Sequence, residues 1–553
     1  MLATPSVLPA MFAAWLLVVA PGCGEDGTGS TPSPDAGTAG DAASQDANPP
    51  DGPTPEDSSP GDAVVTPPPD LAGHRIFVPR IVAGNGGDAI WEHRQRAAVF
   101  WFGRVDARND YVDVRLGTRD DLIMVHSAVF DREIYDDASD DTLEAWDSLT
   151  LLLDADGDPD KQQVDGRSLR IDAQAGRHGT DRTVVYRGVS GMWQRDAVEV
   201  GTDTSALVSS NVVVIKGYRG DDDRNQSRGW HITFFVKWTA LGLTAPPMKG
   251  ATPRLRAALV QHDRDNASGS LAGATQSWPH DSVTLVDPRT WGTWELIDAH
   301  FLDWTESGSA SGAGRQAYAI AYTSPATVAG TERTITIREG LNGVTTAAAC
   351  VGASEVLCSG DDDYNFGTGT ASWGGNTSRN YFHVQNQEDY ADWPCFAKIY
   401  LKFPLDSIPP QSAVRSAKLI LHHKQPTSGG DEGERSLLQA FWVSNTLQGS
   451  TEPWTEENLT WNSAPWPWEN LAGCWGDRTG VMETGWDDLP AWEWDVTRAV
   501  AESVADGQVS LALYSADSEY HTGKEFVTPD DFPDWGDPSQ RPTLEVVVAD
   551  RAP

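Results

Sequence analysis

Four aspartates at alternate positions follow the apolar segment 149–153, and these are Asp154, Asp156, Asp158 and Asp160. Hard carboxylate oxygens crowded into one tight loop suit Ca²⁺, which takes about six to eight oxygen ligands. The loop lacks the glycine position and the distal glutamate of an EF-hand, so it is not one. The sequence therefore predicts a structural Ca²⁺ site here, and a solvated polar turn is the alternative.

Basic residues are concentrated between positions 396 and 424, where five Lys or Arg face a single acid. Successive side chains of a strand point to opposite faces, so Ile399 and Leu401 lie on one face and basic or aromatic residues on the other. If the two strands of this segment are neighbours, their outer faces form one patch that binds carboxylates through charge-assisted hydrogen bonds. A merely solubilising sheet face is the alternative. The predicted carbohydrate-binding patch consists of Lys398, Tyr400, Lys402, Lys418, His422 and Lys424.

Tryptophan is unusually frequent, with 23 copies in 553 residues. An indole ring offers a broad apolar face against which the flat face of a sugar ring can pack. Trp193, Trp278 and Trp291 stand in loop-like segments and are predicted to bind carbohydrate, with burial as the alternative. Trp230 and Trp238 alternate with apolar strand residues, which favours a place in the core.

Common catalytic motifs are missing from the sequence: it has no Gly-x-Ser-x-Gly elbow, no His-Glu-x-x-His and no phosphate loop. Acidic pairs are abundant, so residue types alone do not exclude a glycosidase. His422 and Tyr400 are the nearest candidates for a lyase. Because two binding modules would use nearly all of the foldable chain, we expect no enzyme and no catalytic residue.

The first 73 residues have the features of an export signal and a tether. Residues 10–20 form an apolar run that is too short to span a membrane of ~30 Å and predicts a signal peptide over 1–22. Cys23 follows a small residue, as in the lipobox of bacterial lipoproteins, although no Lys or Arg precedes the run and Pro21 is atypical. Residues 24–73 lack aromatic and basic residues and carry ten acids, which predicts a disordered acidic linker behind a lipidated Cys23. An ordinary cleaved signal is the alternative.

The formal charge of −39 excludes general nucleic-acid binding and argues against adhesion to anionic lipid, because both need a basic face. Membrane contact is expected through the lipid anchor only. Besides Cys23 the chain has four cysteines, which permit two disulfides in an exported protein. The short loop between the first two favours Cys350–Cys358 with Cys395–Cys474, and other pairings stay open.

Short alternating runs broken by Gly, Asp and Pro follow from residue 74 onward, as in 97–106 and 229–238. Such runs predict an all-β protein made of two β-sandwich domains of jelly-roll type. One short helix is predicted over 496–504. The predicted organisation is a tether over 23–73, a first sandwich over 75–304, a linker over 305–316 and a second sandwich over 317–550.

Residues 75–298 resemble a known module. A strand leads into the Asp-rich turn, Trp230–Trp238 is followed by Leu241-Gly242, and Trp278-Pro279 precedes Asp287-Pro288 and Trp291-Gly292. This order is similar to that of family 9 carbohydrate-binding modules and the wider DOMON-like β-sandwiches. The resemblance implies a sandwich that binds sugar or haem, and no Met/His pair is placed so as to favour haem.

Residues 330–548 resemble a second family. The runs Lys398–Pro409, Trp454–Glu456, Leu459–Pro465 and Trp494–Val500 occur in this order along the chain. The series resembles the DNRLRE domain, whose members include family 96 carbohydrate-binding modules. The resemblance implies a jelly roll, extracellular placement and binding of uronic-acid polysaccharides. Residues Phe526–Pro529 depart from the family's pattern.

Together these features predict an exported bacterial protein, anchored by lipid at the outer membrane or cell surface or else extracellular. It would capture polysaccharide, including uronate-containing polysaccharide, through two non-catalytic modules. A structural or adhesive surface protein and a polysaccharide lyase or hydrolase are the alternatives. No cofactor other than structural Ca²⁺ is expected.

Overall fold

A computed structural model describes most of the chain beyond residue 73. The described ranges are 74–81, 97–106, 109–131, 134–136, 142–176, 182–220, 227–247, 253–264, 275–297, 314–352, 381–386, 396–426, 436–476, 489–516, 523–529 and 537–552. The predicted signal peptide, the tether, Cys23, Cys358, Cys395 and most of the predicted linker 305–316 lie outside them. Residues 66–553 belong to one compact unit.

Strands dominate the described ranges, which contain a single α-helix, α1 (Thr497–Ser503), inside the segment predicted to be helical. The all-β class expected from the alternating runs is therefore confirmed. No helix in the described ranges is both long enough and apolar enough to cross a membrane.

Strands between residues 75 and 296 form two facing sheets. The strands are β1 (Arg75–Val78), β2 (Ala98–Asp106), β3 (Asn109–Thr118), β4 (Leu122–Phe130), β5 (Ser148–Asp154), β6 (Ser168–Gln174), β7 (Thr183–Val189), β8 (Met192–Arg195), β9 (Val200–Gly201), β10 (Val212–Gly220), β11 (Ser227–Lys237), β12 (Arg254–His262), β13 (Thr275–Trp278) and β14 (Gly292–Leu296). The first sheet has the order β2-β3-β4-β11-β10-β9. In the second, β8, β7, β6, β5 and β12 follow one another, β13 and β14 pair with different parts of β12, and β1 lies parallel to β14.

Alternation along these strands builds the core between the two sheets. Phe100 of β2 points inward and packs on Trp278 of β13, with ring centroids 4.7 Å apart. Trp278 in turn stacks on Trp294 of β14 at 6.2 Å. Trp230 and Trp238 are also buried, as predicted from their strand pattern.

A second group of strands begins at residue 315. It comprises β15 (Arg315–Ala319), β16 (Arg333–Arg338), β17 (Ala347–Gly352), β18 (Tyr381–Asn386), β19 (Phe396–Pro404), β20 (Ser412–Pro426), β21 (Ser436–Val443), β22 (Pro467–Gly476), β23 (Ala491–Asp495), β24 (Gln508–Ser515), β25 (Lys524–Val527) and β26 (Thr543–Asp550). One sheet has the order β15-β22-β21-β24-β19-β17. In the other, β16 pairs with β26, β26 with β20, and β20 with both β23 and β25, while β18 pairs with β25 and the end of β19.

The two groups of strands share a core. The outer face of β2 and β3 carries Trp101 and Tyr111, which lie against Phe441 of β21 and Tyr514 of β24. The centroids of Trp101 and Phe441 are 4.9 Å apart, and the hydroxyls of Tyr111 and Tyr514 are 3.3 Å apart. A single cluster of buried apolar side chains includes members from both groups. The outer face of one sandwich is thus an inner layer of the whole unit.

Buried amides connect the strands where the two groups meet, and so does an ion pair of Arg75 in β1 with Glu469 in β22 at 3.2 Å. The Asn470 amide accepts from Phe77 N at 2.8 Å and donates to Phe77 O at 3.0 Å. Gln439 Nε2 donates to Ala97 O at 2.8 Å. Each amide pairs with backbone groups that no neighbouring strand would otherwise reach. The junction therefore depends on directional hydrogen bonds as well as on apolar contact.

Candidate functional site

An open groove of about 520 Å³ lies among the loops at one end of the first group of strands. Its lining residues are all polar: Lys161, Gln162, Gln163, Asp165 and Arg289. Four of them come from the loop between β5 and β6, and Arg289 comes from the turn before β14. The groove therefore depends on two loops that are more than a hundred residues apart in sequence.

The loop after β5 is held by the ammonium group of Lys161. Its Nζ lies 2.6 Å from Asp154 Oδ2, 2.9 Å from Asp156 Oδ2 and 2.7 Å from Asp165 Oδ1. Arg167 adds a second cation, 2.7 Å from Asp156 Oδ1. These contacts fix the backbone from which Gln162 and Gln163 project.

The turn that carries Arg289 is held by Arg256 of β12. Its guanidinium is 2% exposed and donates to the carbonyl oxygens of Pro288, Arg289 and Trp291. Burial lowers the pKa of Arg256 to about 10, against the attraction of nearby aspartates. Because backbone carbonyls around Arg289 converge on this one side chain, the turn that carries Arg289 has a defined position.

The hairpin of β7 and β8 connects the two loops. Gly191 N donates to Val164 O at 3.0 Å, and Val164 N donates to Val286 O at 3.1 Å. Trp193 Nε1 donates to Leu285 O at 3.0 Å. Gly191 adopts a φ of 82° in the turn, and a Cβ atom there would lie 2.8 Å from Gln163 Oε1. The positive φ favours glycine at this position, whereas the flexible Gln163 amide could move away from a Cβ atom.

The groove combines the groups that hydroxyl-rich ligands need. Two amides offer both donors and acceptors, Arg289 offers donors, and Asp165 offers acceptors. Exposed apolar side chains belong to the framing segments, namely Val189, Met192 and Val286, and Met192 is 63% exposed. Polar groups beside an apolar shelf match the amphipathic surface of a sugar chain. Among the described residues that line this groove, none is a nucleophile with a paired base.

The prediction of one basic patch is wrong. It assumed that the two strands are neighbours, and they are not. Strand β19 pairs with β17, β18 and β24, whereas β20 pairs with β23, β25 and β26. The two strands lie in different sheets of the sandwich. Their outward faces therefore do not form one surface.

Lys398, predicted to be exposed, lies in the interior and is 2% exposed. Its Nζ lies 3.5 Å from the ring centroid of Trp461, 4.4 Å from Tyr111, 4.5 Å from Trp101 and 5.0 Å from Tyr514. Two of these rings belong to the first group of strands, which covers the face that an isolated sandwich would expose. We call these four rings the Lys398 cage.

Tyr400 and Lys402 follow Lys398 onto the covered face. Tyr400 is fully buried and donates its hydroxyl to Pro465 O at 3.2 Å. Lys402 is half-buried, and its Nζ donates to Trp454 O at 2.6 Å and lies 4.0 Å from the Trp454 ring centroid. Burial lowers the pKa of Lys402 to about 8. Tyr400 is therefore out of reach of a polysaccharide, and the Lys402 amine is already engaged by Trp454 O.

The remaining patch residues lie on β20, apart from those of β19. Lys418 is exposed and pairs with Glu493 at 2.6 Å. His422 is partly buried, its Nδ1 is 2.8 Å from Gln540 O, and burial lowers its pKa. Lys424 is partly buried as well. Lys418 is thus neutralised by a neighbouring strand, which weakens the case for a carboxylate-binding surface.

Two of the three predicted sugar-binding tryptophans are in the core. Trp278 and Trp291 have no exposed surface, and Trp291 Nε1 donates to Thr284 O at 2.8 Å. The prediction of exposed platforms at these two positions is wrong, because the segments that look like loops fold back over the rings. Trp193 is half-buried beside the groove and remains a candidate carbohydrate-binding residue.

The acidic loop differs from the predicted calcium ligand set. Asp154, Asp156 and Asp165 have oxygens within 4.8 Å of one another, and the predicted ligands Asp158 and Asp160 are not part of this group. Asp158 instead accepts from Asp160 N at 3.2 Å. The Lys161 ammonium already contacts all three converging carboxylates. A Ca²⁺ ion would therefore fit only if that ammonium moved away.

Two of the four predicted disulfide cysteines are within the described ranges. Cys350 of β17 and Cys474 of β22 are both buried in the second core cluster. Burial raises the pKa of the Cys474 thiol. Their predicted partners, Cys358 and Cys395, lie outside the described residues, so the pairing stays a prediction.

Sequence reasoning did not identify Gln162, Gln163 or Arg289. Exposed amides and arginines in loops are common, and nothing in their spacing distinguishes these three. The one usable signal was Lys161 among alternating aspartates, because a lone base between acids indicates an internal ion pair.

Part of the sequence matches a known family. Residues 372–526 match the family model of Carbohydrate-binding module family 96, which confirms the resemblance expected from the C-terminal motifs. The matched segment covers strands of both sheets in the second group. Among curated proteins, none matches this sequence.

Similar solved structures include two family 9 carbohydrate-binding modules. One is a family 9 carbohydrate-binding module from Caldicellulosiruptor kristjanssonii in complex with cellotriose; it is 15% identical, covers 41% of this chain and 94% of that chain, and has a TM-score of 0.28. A module of the same family and organism in complex with glucose is 15% identical, with coverage of 41% and 96% and a TM-score of 0.27.

Proposed function

We propose that this protein is a non-catalytic carbohydrate-binding protein that captures polysaccharide outside the cell. The match of residues 372–526 to a carbohydrate-binding module family is the observation that carries the proposal. The polar groove supports it independently, because its amides, guanidinium and carboxylate suit hydroxyl groups. Export and lipid anchoring at Cys23 belong to the proposal and rest on residues 10–23 of the sequence.

The groove of Lys161, Gln162, Gln163, Asp165 and Arg289 is the proposed binding surface. Trp193 supports one wall of the groove through Leu285, and the exposed Met192 side chain adds an apolar shelf beside it. Sugar binding needs such a combination of directional hydrogen bonds and apolar contact.

A preference for uronates is not part of this proposal. That expectation rested on the resemblance to family 96 modules and on the basic patch; the strands of the patch lie in different sheets, and Lys398 is enclosed by rings. The two cations that line the groove, Lys161 and Arg289, pair with Asp165 and Asp287, so these charges balance and do not select a carboxylate ligand. Neutral and acidic polysaccharides are therefore compared in the same experiment.

The test uses the full mature chain with the double variant Gln162→Ala plus Gln163→Ala. Affinity for a panel of soluble neutral and uronate polysaccharides is measured by calorimetry. We expect the double variant to lose about thirtyfold in affinity, which corresponds to two lost hydrogen bonds of about 1 kcal/mol each. Gln411→Ala, an exposed amide in the turn before β20, is the matched control and should bind as wild type does.

Unchanged binding in the double variant would place the site elsewhere in the protein. Binding to none of the polysaccharides would leave the structural or adhesive alternative. Release of reducing ends or unsaturated products from any of them would contradict the proposal that the protein has no catalytic activity.

A further inference from the structure

The Lys161 ammonium occupies the centre of the acidic loop. It has three N–H donors, and three carboxylates lie at hydrogen-bonding distance from it: Asp154 at 2.6 Å, Asp156 at 2.9 Å and Asp165 at 2.7 Å. Its side chain is 11% exposed and Asp154 is fully buried. Every donor of the ammonium is thus matched by one acceptor, with little access for solvent.

We infer that Lys161 is the built-in cation of this loop and takes the place that a metal ion would occupy. The three carboxylates converge as metal ligands would, with their oxygens within 4.8 Å of one another. Ca²⁺ needs about six to eight oxygens at short distances. The loop provides three carboxylates around a centre that already holds an ammonium, so it folds without a metal.

The charge balance of the loop agrees with an internal cation. Burial by itself would lower the pKa of Lys161, but the hydrogen bonds that it donates to Asp154, Asp165 and Asp156 raise it above its ordinary value. Burial would likewise raise the pKa of Asp156, but Lys161 and Arg167 lower it. The Lys161 ammonium and the Asp156 carboxylate therefore stay ionised together at neutral pH. A second cation would meet carboxylates that already have an ammonium as their partner.

The geometry also explains how a single lysine can hold the whole loop. Asp154 is the last residue of β5, so its carboxylate is fixed by the sheet, and Ser168 at the start of β6 donates to the same Asp154 oxygen. Asp165 in addition accepts from Arg167 N at 2.9 Å. The ammonium thus joins two strand ends and the loop between them. This inference concerns the loop alone and does not depend on what the groove binds.

The test compares melting temperature with EDTA and with CaCl₂. Wild type should melt at the same temperature in both, and titration with CaCl₂ should give no heat. Lys161→Met should lower the melting temperature in EDTA, because it leaves three converging carboxylates without their cation. Lys161→Arg keeps the charge but not the three-donor geometry, and we expect a smaller fall. Lys418→Met removes a lysine with a single exposed acidic partner and should change little.

Wild-type measurements decide the inference even if Lys161→Met fails to fold. A wild-type melting temperature that falls in EDTA and recovers with CaCl₂ would overturn it, most clearly if Asp154→Asn abolished the heat of calcium binding. Equal melting temperatures for Lys161→Met and Lys418→Met would also overturn it, since the ammonium would then contribute nothing beyond a surface ion pair.

Discussion

Lys398→Met removes an amine from the interior of the protein, where burial lowers the pKa of Lys398 well below its ordinary value despite the attraction of Asp113. Methionine has a similar length and packs well against aromatic rings, so the Lys398 cage should remain filled. The substitution therefore tests the cost of burying the amine rather than the cost of a cavity.

The sign and size of the effect follow from proton linkage. An unfolded lysine has a pKa of about 10.4, so between the lower folded pKa and that value the unfolded chain binds more protons than the folded one. The free energy of unfolding of wild type therefore rises with pH across this window, at about 1.4 kcal/mol per pH unit. Lys398→Met lacks this group. It should be more stable than wild type near pH 8, and its advantage should shrink by about 2–3 kcal/mol towards pH 10.

Urea denaturation at several pH values measures this difference, with unfolding followed by tryptophan fluorescence. All other titrating groups are common to both proteins, so they cancel when the two free energies are subtracted. Lys418→Met is the control, because it removes one positive charge from an exposed lysine paired with Glu493. Its difference from wild type should stay small and nearly constant between pH 8 and about pH 10, because Glu493 raises the pKa of Lys418 and the contribution is lost only at higher pH.

A constant difference between wild type and Lys398→Met across the pH range would refute the reasoning. It would mean that the amine stays protonated in the folded protein and that attraction to the four rings compensates for the lost hydration. Each such ring contact contributes about 0.5–2 kcal/mol. A protonated lysine would also make Lys398→Met less stable than wild type, so the sign at neutral pH gives an independent answer.

Two further predictions concern the junction between the two groups of strands. Burial raises the pKa of Glu469 to about 7, although Arg75 and Arg498 lower it, so the folded state binds more protons than the unfolded state between about pH 4.5 and 7. The contribution of Glu469 to the free energy of unfolding should therefore fall as the pH rises through this range. In urea titrations, Glu469→Gln should remove this fall, which amounts to about 1 kcal/mol per pH unit. Asn470→Ala leaves the buried Phe77 N–H and C=O without partners and should lower the free energy of unfolding by about 2–4 kcal/mol, measured by the same method.

A different result would contradict each of these two predictions. If Glu469→Gln and wild type show parallel pH dependence, the two arginines keep the carboxylate ionised. If Asn470→Ala costs no more than the exposed control Gln411→Ala, the junction is held by apolar contact alone and the amide contributes little.

Strand content and strand faces could be predicted from sequence because they depend on local alternation. Ile399 and Leu401 face the second core cluster while Tyr400 faces the first, as the alternation indicated. Alternation shows that a strand has two faces, but it does not show what covers each of them. The covering layer for Tyr400 comes from residues near 101–111, almost three hundred positions away. No local sequence pattern indicates a contact between positions so far apart.

The same limit explains the tryptophans and the groove. Trp278 and Trp291 stand between Pro, Gly and Asp residues that are typical of loops, yet their rings are buried by packing against distant strands. The groove needs the β5–β6 loop, the β7–β8 hairpin and the turn at Arg289 to meet, and only the fold brings them together. The Asp-rich loop was visible in the sequence, but the direction of the Lys161 side chain decides whether it holds a metal.

The layering restricts where a ligand can bind. The sheet face of β19, β21 and β24, with its tyrosines and lysines, has the composition of a polysaccharide platform, but Trp101 and Tyr111 cover it. Uncovering it would separate the Lys398 cage and expose several buried aromatic rings, at about 25 cal/mol for each Å² of apolar surface. A ligand that makes a few hydrogen bonds cannot offset that cost. Binding is therefore expected at loop surfaces such as the groove, which the packed sheets hold in place without covering.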